Sequence, residues 1–318
     1  METRKTILIS CKKNISIQRI FNLFQIILKY KEPTQFKAKH YANKKYYKFN
    51  EKKYVEAFNK EMNVSDDDIR FHLDWNGGSG SVICYKEDIA FRIHLELDEQ
   101  DVALYNEVEK FIIENAIMAG ESNSHDLNIQ NQRFIHMLEW LGEDASSYPK
   151  CKGLLEDVEI DIAKNPGYMV NARGFDFAAF YRMWYGKAAY EMFDKDSLRS
   201  FACYENIVLD NDVTRITLYD NIFDYKKQEN RNKQLEFRAY VHLDEIVNRV
   251  KQEELVERQK NLDPEINIKQ GIFEHGGVRL IQTFLKDGEN VRRSLADSVE
   301  EVEMDENGKE IFRAIKEL

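Results

Sequence analysis

Ile69, Phe71, Leu73 and Trp75 alternate with Arg70, His72 and Asp74. Side chains of an extended chain point to opposite faces in turn, so this pattern predicts a strand over 69–75 with one apolar face. Asn76-Gly77-Gly78-Ser79-Gly80-Ser81 follows as a turn, because glycine enters positive φ without a Cβ clash. Segments 82–85 and 89–97 read as further strands of an antiparallel meander. Upstream, Ile17, Ile20, Phe21, Phe24, Ile27 and Leu28 recur at three- and four-residue spacing, which is one face of a helix ended before Pro33. A short strand over 6–10 precedes that helix, and a short helix over 54–61 follows a basic, tyrosine-rich segment, 37–53. That segment reads as a solvated loop with snorkelling lysine stems. An amphipathic helix is expected over 102–118, a polar loop over 120–131, and a helix carrying Phe134, Met137, Leu138 and Leu141.

The second half is predicted to open with an aromatic helix over 175–193, with a short helix over 196–201. In the first of these the stripe Phe177, Phe180, Tyr181 and Trp184 is core by default, with its Trp and Tyr edges as the alternative partner contact. Strands are expected over 206–210, 213–219 and 235–243, then a charged helix over 246–259. The tail reads as a strand over 278–285, a hairpin at Lys286-Asp287-Gly288, a turn at Asn307-Gly308 and a short helix. Two stretches share one frame: Phe91-Arg92-Ile93-His94-Leu95-Glu96-Leu97-Asp98-Glu99 and, 146 residues on, Phe237-Arg238-Ala239-Tyr240-Val241-His242-Leu243-Asp244-Glu245. Asp74-Trp75-Asn76 with Tyr219-Asp220-Asn221, and 53–58 with 196–201, recur at nearly the same offset. Self-similarity at a fixed spacing predicts a tandem duplication. The expected fold class is α+β: two similar helix–antiparallel-sheet–helix modules, 1–145 and 146–318, divided in the Pro- and Gly-punctuated stretch 142–167.

Composition narrows the function classes. The 318 residues carry a net charge of −10, which disfavours nucleic acid as a partner, since phosphate binding needs a basic face. An acidic chain suits a basic protein partner. Four scattered cysteines, Cys11, Cys84, Cys151 and Cys203, form neither a disulfide framework nor a zinc motif. No leader or membrane-spanning run is evident, so a cytoplasmic location is expected, without membrane attachment.

No constellation carries strong catalytic chemistry, and no cofactor or metal is expected. The loop at 77–81 lacks the lysine and the following helix of a phosphate loop, so it reads as a hairpin turn. Asp220 or Asp224 with Glu236 and Arg238 has the outline of a metal-dependent nuclease, but arginine stands where such sites use lysine. His72 and His94 offer two imidazoles on one sheet face, with no third ligand in view. Cys203 with His242 is a nucleophile–base pairing that no local signature supports.

Phe71-His72-Leu73-Asp74-Trp75-Asn76-Gly77-Gly78, an apolar strand closing on Trp-Asn-Gly-Gly after two helices, resembles bacterial polymorphic-toxin immunity proteins of family 52 over about the first 100 residues. The resemblance implies a non-catalytic inhibitor that neutralises a cognate toxin by steric occlusion, with Trp75, Asn76, Gly77 and Gly78 as a structural corner. A phage or mobile-element inhibitor of a bacterial defence complex is the neighbouring alternative. A nuclease-like enzyme and an assembly scaffold are the others. The partner-binding candidates are the acids Asp66, Asp67, Asp68, Asp98 and Glu99 with the aromatics Trp184 and Tyr185.

Overall fold

The computed structural model describes residues 4–41, 45–64, 68–86, 88–153, 157–260 and 264–318. It is α+β and falls into two compact units, 1–250 and 251–318.

The first unit is organised by one ten-stranded sheet. Its strands are β1 (Arg4–Lys12), β2 (Pro33–Ala38), β3 (Tyr47–Lys48), β4 (Ile69–Trp75), β5 (Gly78–Cys84), β6 (Ala90–Asp98) and β7 (Ala116–Asn123). Beyond two short hairpins, β8 (Lys150–Lys152) with β9 (Val158–Ile160) and β10 (Val170–Ala172) with β11 (Phe175–Phe177), it is completed by β12 (Arg182–Tyr185), β13 (Glu205–Val208) and β14 (Thr214–Thr217). The order is β13-β14-β12-β7-β1-β6-β5-β4-β2-β3, antiparallel throughout.

One cover runs along a single face of the sheet, and a second lies on the other face over β1, β7, β12 and β14. Over β6, β5, β4 and β2 the cover is α1 (Ile17–Tyr30), α2 (Glu51–Met62) and α3 (Val102–Asn115). Their residues Leu23, Phe24, Phe58 and Val108 share a core with Phe36, Phe71, Leu73, Val82, Ile93 and Leu95 from the strands. Over β1, β7, β12 and β14 the apolar cover lies on the other face. There Leu8, Met118, Met183, Tyr185 and Ile216 meet Phe175, Phe177 and Phe180, with Phe237 and Val241 of α7 (Gln228–Tyr240) and its flank, and Ile246 and Val250 of the next helix. That helix runs Leu243–Lys260, and α4 (Ser124–Gln130), α5 (Ile135–Trp140) and α6 (Lys195–Ser200) are the other α-helices of the described residues.

Taken alone, the second unit is an antiparallel sheet of β15 (Ile266–Gln270), β16 (Arg279–Lys286), β18 (Ser298–Met304) and β19 (Glu310–Glu317), with the short β17 (Glu289–Asn290) paired to β16. Its hairpin at Asp287-Gly288 uses two left-handed residues, φ 51 and 82, the geometry that matches strand twist.

Several expectations are corrected. Residues 120–131 form the end of β7 and α4, and the aromatic run 175–193 contains β11, β12 and a short 3-10 helix, Lys187–Glu191, instead of one long helix. Segment 235–243 is helical, and the chain ends in β19. The frame shared by 91–99 and 237–245 is a strand in the first instance and spans two helices in the second, so it does not mark equivalent elements. The expected division near residue 145 falls within the ten-stranded sheet, where β7 pairs with β12.

Candidate functional site

Among the described residues of the first unit, no helix covers the other face of β2, β4, β5 and β6. Each strand turns its apolar positions toward α1–α3 and its remaining positions outward, as the two-residue period requires. The register then lays these residues in rows. Gln35, Asp74, Ser79 and Glu96 form one, and Lys37, His72, Ser81 and His94 the next. Arg70, Ile83 and Arg92 follow. Position 39 on the extension of β2 adds a lysine, its backbone N–H bonded to the Arg70 carbonyl at 3.1 Å.

The corner that starts this face is built by glycine. Gly77 takes φ +85, and a Cβ on Gly78 would lie 2.1 Å from the Glu96 carbonyl oxygen and 2.7 Å from Trp75 Nε1. Trp75 is buried against the helical cover, and Asn76 bonds Glu32 through both its backbone N–H (3.1 Å to O) and its Nδ2 (3.1 Å to Oε2). The four residues Trp75 to Gly78 therefore shape the hairpin.

The opposite border is the β10–β11 hairpin. Its turn, Arg173-Gly174, is left-handed at both residues (φ 51 and 88), and a Cβ on Gly174 would meet the Ala90 carbonyl oxygen at 2.3 Å. This close approach sets Asp176 against β6, 3.9 Å from Arg92 Nη1 and accepting from Asn171 Nδ2 at 2.9 Å. Burial pushes the Asp176 carboxyl above its usual range, while Asn171, Arg92 and His94 pull it down. Arg92 also stacks over Tyr85, whose ring Arg70 covers as well, at 5.1 and 5.0 Å.

His94 Nε2 is sealed from solvent without a hydrogen-bond partner. Burial lowers its pKa from 6.5, more than Glu96 and Asp176 raise it. The unfolded chain therefore binds this proton more readily than the folded one, so the His94 contribution is complete above about pH 6.5 and is lost as pH falls toward the depressed value. Urea denaturation between pH 7.5 and 5 is expected to show stability falling with acidification, with a smaller slope in His94→Gln. An unchanged slope in the variant would assign the effect elsewhere.

Between Lys37, Lys39, Tyr46, Arg70, His72 and Ser81 lies a cavity of about 410 Å³. A larger cleft of about 810 Å³ opens at the end of the sheet, between Lys12, Arg19, Asn115, Lys187, Tyr190 and Asp212. Its charges are mixed, and Asp212 already pairs with Lys195 (2.7 Å) and Arg199 (2.5 Å).

The expected contact residues are dispersed. Asp66 and Asp67 lie outside the described residues. Asp68, at the start of β4, lies 3.6 Å from Lys39 and 3.5 Å from Arg70. Asp98 and Glu99 lie past the other end of the face, at the close of β6. Trp184 and Tyr185 are each 1% exposed. Trp184 faces α3, and Tyr185 packs in the other core. Neither is available to a partner, because a strand buried on both faces hides consecutive side chains.

Of the nuclease outline, Asp224 pairs with Lys227 at 2.7 Å. Glu236 and Arg238 sit on α7, where a two-residue step turns side chains about 200° apart. Glu236 pairs with Lys233 at 2.6 Å, whereas Arg238 is buried and binds the Tyr168 carbonyl at 2.9 Å and Asp244. His242 is exposed beside Glu245 (3.2 Å), and Cys203 Sγ donates to the Glu205 carbonyl (3.1 Å), so the two share no hydrogen bond. The imidazoles of His72 and His94 do share a face, separated by Ser81 of the intervening strand. His72 Nε2 is held by Asp74 at 2.7 Å. Among the described residues no group of three or more His, Cys, Asp or Glu is placed to hold a metal ion, and no helix is long and apolar enough to cross a membrane.

Sequence reasoning missed the face itself, although its signal was present in the polar half of the alternation, Arg70, His72 and Asp74. No family model matches this chain, and no curated protein or solved structure shows significant similarity to it.

Proposed function

We propose that the chain is a non-catalytic protein-binding inhibitor, of the toxin-immunity kind, that seats a protein partner on the open face of β2, β4, β5 and β6. The observation that carries this reading is the sheet face that no described helix of the first unit covers. Four strands present rows of hydrogen-bonding and charged side chains, while the helices that would cover them lie on the other side. Half-exposed Tyr46 and the Arg-stacked Tyr85 supply the aromatic and arginine anchors enriched at interfaces. A bacterial toxin and a defence complex would be engaged by the same chemistry, occlusion of a working surface.

The test is capture of a partner from the source cell with the wild-type chain, followed by titration of the purified pair. Ser79→Arg with Ser81→Arg places two large side chains in the middle of the face. The double variant is expected to weaken binding by at least about thirtyfold, equivalent to roughly 2 kcal/mol, and to abolish inhibition of the partner's activity. Equal binding by wild type and variant would remove the face from the interface. Turnover of nucleic acid by the chain itself, lost in Glu236→Gln, would end the non-catalytic reading.

A further inference from the structure

We infer that the cavity among Lys37, Lys39, Arg70, His72, Ser81 and Tyr46 is an oxyanion-binding site, taking a carboxylate or phosphate group. Its functional weight rests on the open face being the working surface. Three cations converge there from two adjacent strands, because Lys37 and Lys39 are two residues apart on β2 and its extension, and Arg70 and His72 two apart on β4. No carboxylate lines the cavity among the described residues.

The nearest acids are already engaged. Asp74 receives His72 Nε2 at 2.7 Å on one oxygen and Gln35 Nε2 at 2.8 Å on the other. Asp68 is shared between Lys39 Nζ (3.6 Å), Arg70 Nη2 (3.5 Å) and the Lys86 backbone N–H (3.2 Å). Lys37 has no carboxylate partner among the described residues. Its ammonium instead lies 5.2 Å from the centre of the Tyr46 ring, which meets His72 edge-on at 5.9 Å.

The arrangement suits an oxyanion. Arg70 reaches one carboxylate oxygen at long range and keeps guanidinium donors for a second acceptor. Ser81 stands beside His72 in the next strand and offers a hydroxyl. Tyr46 lines one side with its half-exposed ring.

The experiment is an amide ¹H–¹⁵N titration of the chain alone with inorganic phosphate and, separately, glutarate, each against sodium chloride of equal ionic strength. Saturable shifts are expected at Lys37, Arg70, His72 and Ser81. Lys37→Gln and Arg70→Gln should each weaken binding by about tenfold, the loss of one charge-assisted hydrogen bond. Lys60→Gln, on α2, should leave it unchanged. Phosphate binding tighter than glutarate assigns the site to a phosphate-bearing ligand, and the reverse to a carboxylate side chain presented by a docked protein. Shifts that match chloride for both probes, or that survive in the double variant Lys37→Gln/Arg70→Gln with its spectrum otherwise intact, overturn the site. The titration needs no partner, so its failure leaves the Ser79/Ser81 docking test standing.

Discussion

Trp184→Ala is expected to lower the unfolding free energy by about 3–5 kcal/mol, the range for emptying a buried indole site. Trp184 is 1% exposed in the centre of a row running Ala119, Trp184, Arg215 across β7, β12 and β14. Its Nε1 donates to Glu109 Oε1 at 3.1 Å, and the same oxygen accepts from Arg215 Nη1 at 2.7 Å. Alanine removes the ring and leaves Glu109 to Arg215 alone, in a place too enclosed for water to replace the indole fully. Trp184→Phe keeps most of the volume and loses the N–H, so about 1–2 kcal/mol is expected. Urea denaturation followed by far-UV circular dichroism separates the two variants. A cost below about 0.5 kcal/mol for alanine, the value typical of surface positions, would return Trp184 to the surface and to the list of partner contacts.

The same strand shows why the sequence misleads in its second half. Phe177, Phe180, Tyr181 and Trp184 are spaced like a helical stripe, but each is buried in the sheet or its cover. A strand enclosed on both faces needs no alternating polar positions, so Met183, Trp184 and Tyr185 run together and the two-residue period disappears. β7 fails to register for the opposite reason. Glu121, Ser122 and Asn123 look like loop residues, yet all are buried. Glu121 accepts from Tyr105 at 2.9 Å and pairs with Arg182 and Lys5 at 3.4 and 3.7 Å, partners that lie 16, 61 and 116 positions away in the chain. No local pattern contains such pairs.

Where one face is wet, the pattern was legible to the residue: β4 occupies 69–75 as the alternation required, and α1 and α2 enclose their predicted cores. The frame common to 91–99 and 237–245 shows the limit of similarity at this length. In β6 it buries Phe91, Ile93, Leu95 and Leu97 at a step of two, whereas the second instance buries Phe237, Val241 and Leu243 across the end of one helix and the start of the next. The same spacing of apolar residues satisfies both periods over a few turns, and tertiary surroundings decide between them. The candidate site was legible only in fragments, because a sheet face is assembled from every second residue of strands that sequence order separates.

Arg231→Met tests the other buried polar tie of the first unit, and about 3–5 kcal/mol of stability should be lost, as when one member of a buried ion pair is removed. Asp126 on α4 is 1% exposed and receives both Arg231 guanidinium nitrogens from α7, at 2.5 and 3.0 Å. Burial pushes the Asp126 carboxyl above 3.8 even while Arg231 pulls it down. Without Arg231 that upward push is unopposed by its main partner, and the folded state takes a proton more readily than the unfolded chain. The variant should therefore regain stability on acidification and lose it again as pH rises through the raised pKa, a slope that wild type lacks or shows more weakly. Asp126→Leu combined with Arg231→Met removes both charges and should recover most of the loss, since nothing buried is left unpaired. If the single variant is as stable as wild type at pH 7 and its urea midpoint does not rise toward pH 5, Asp126 is not enclosed between α4 and α7, and the packing of those helices on the sheet must be redrawn.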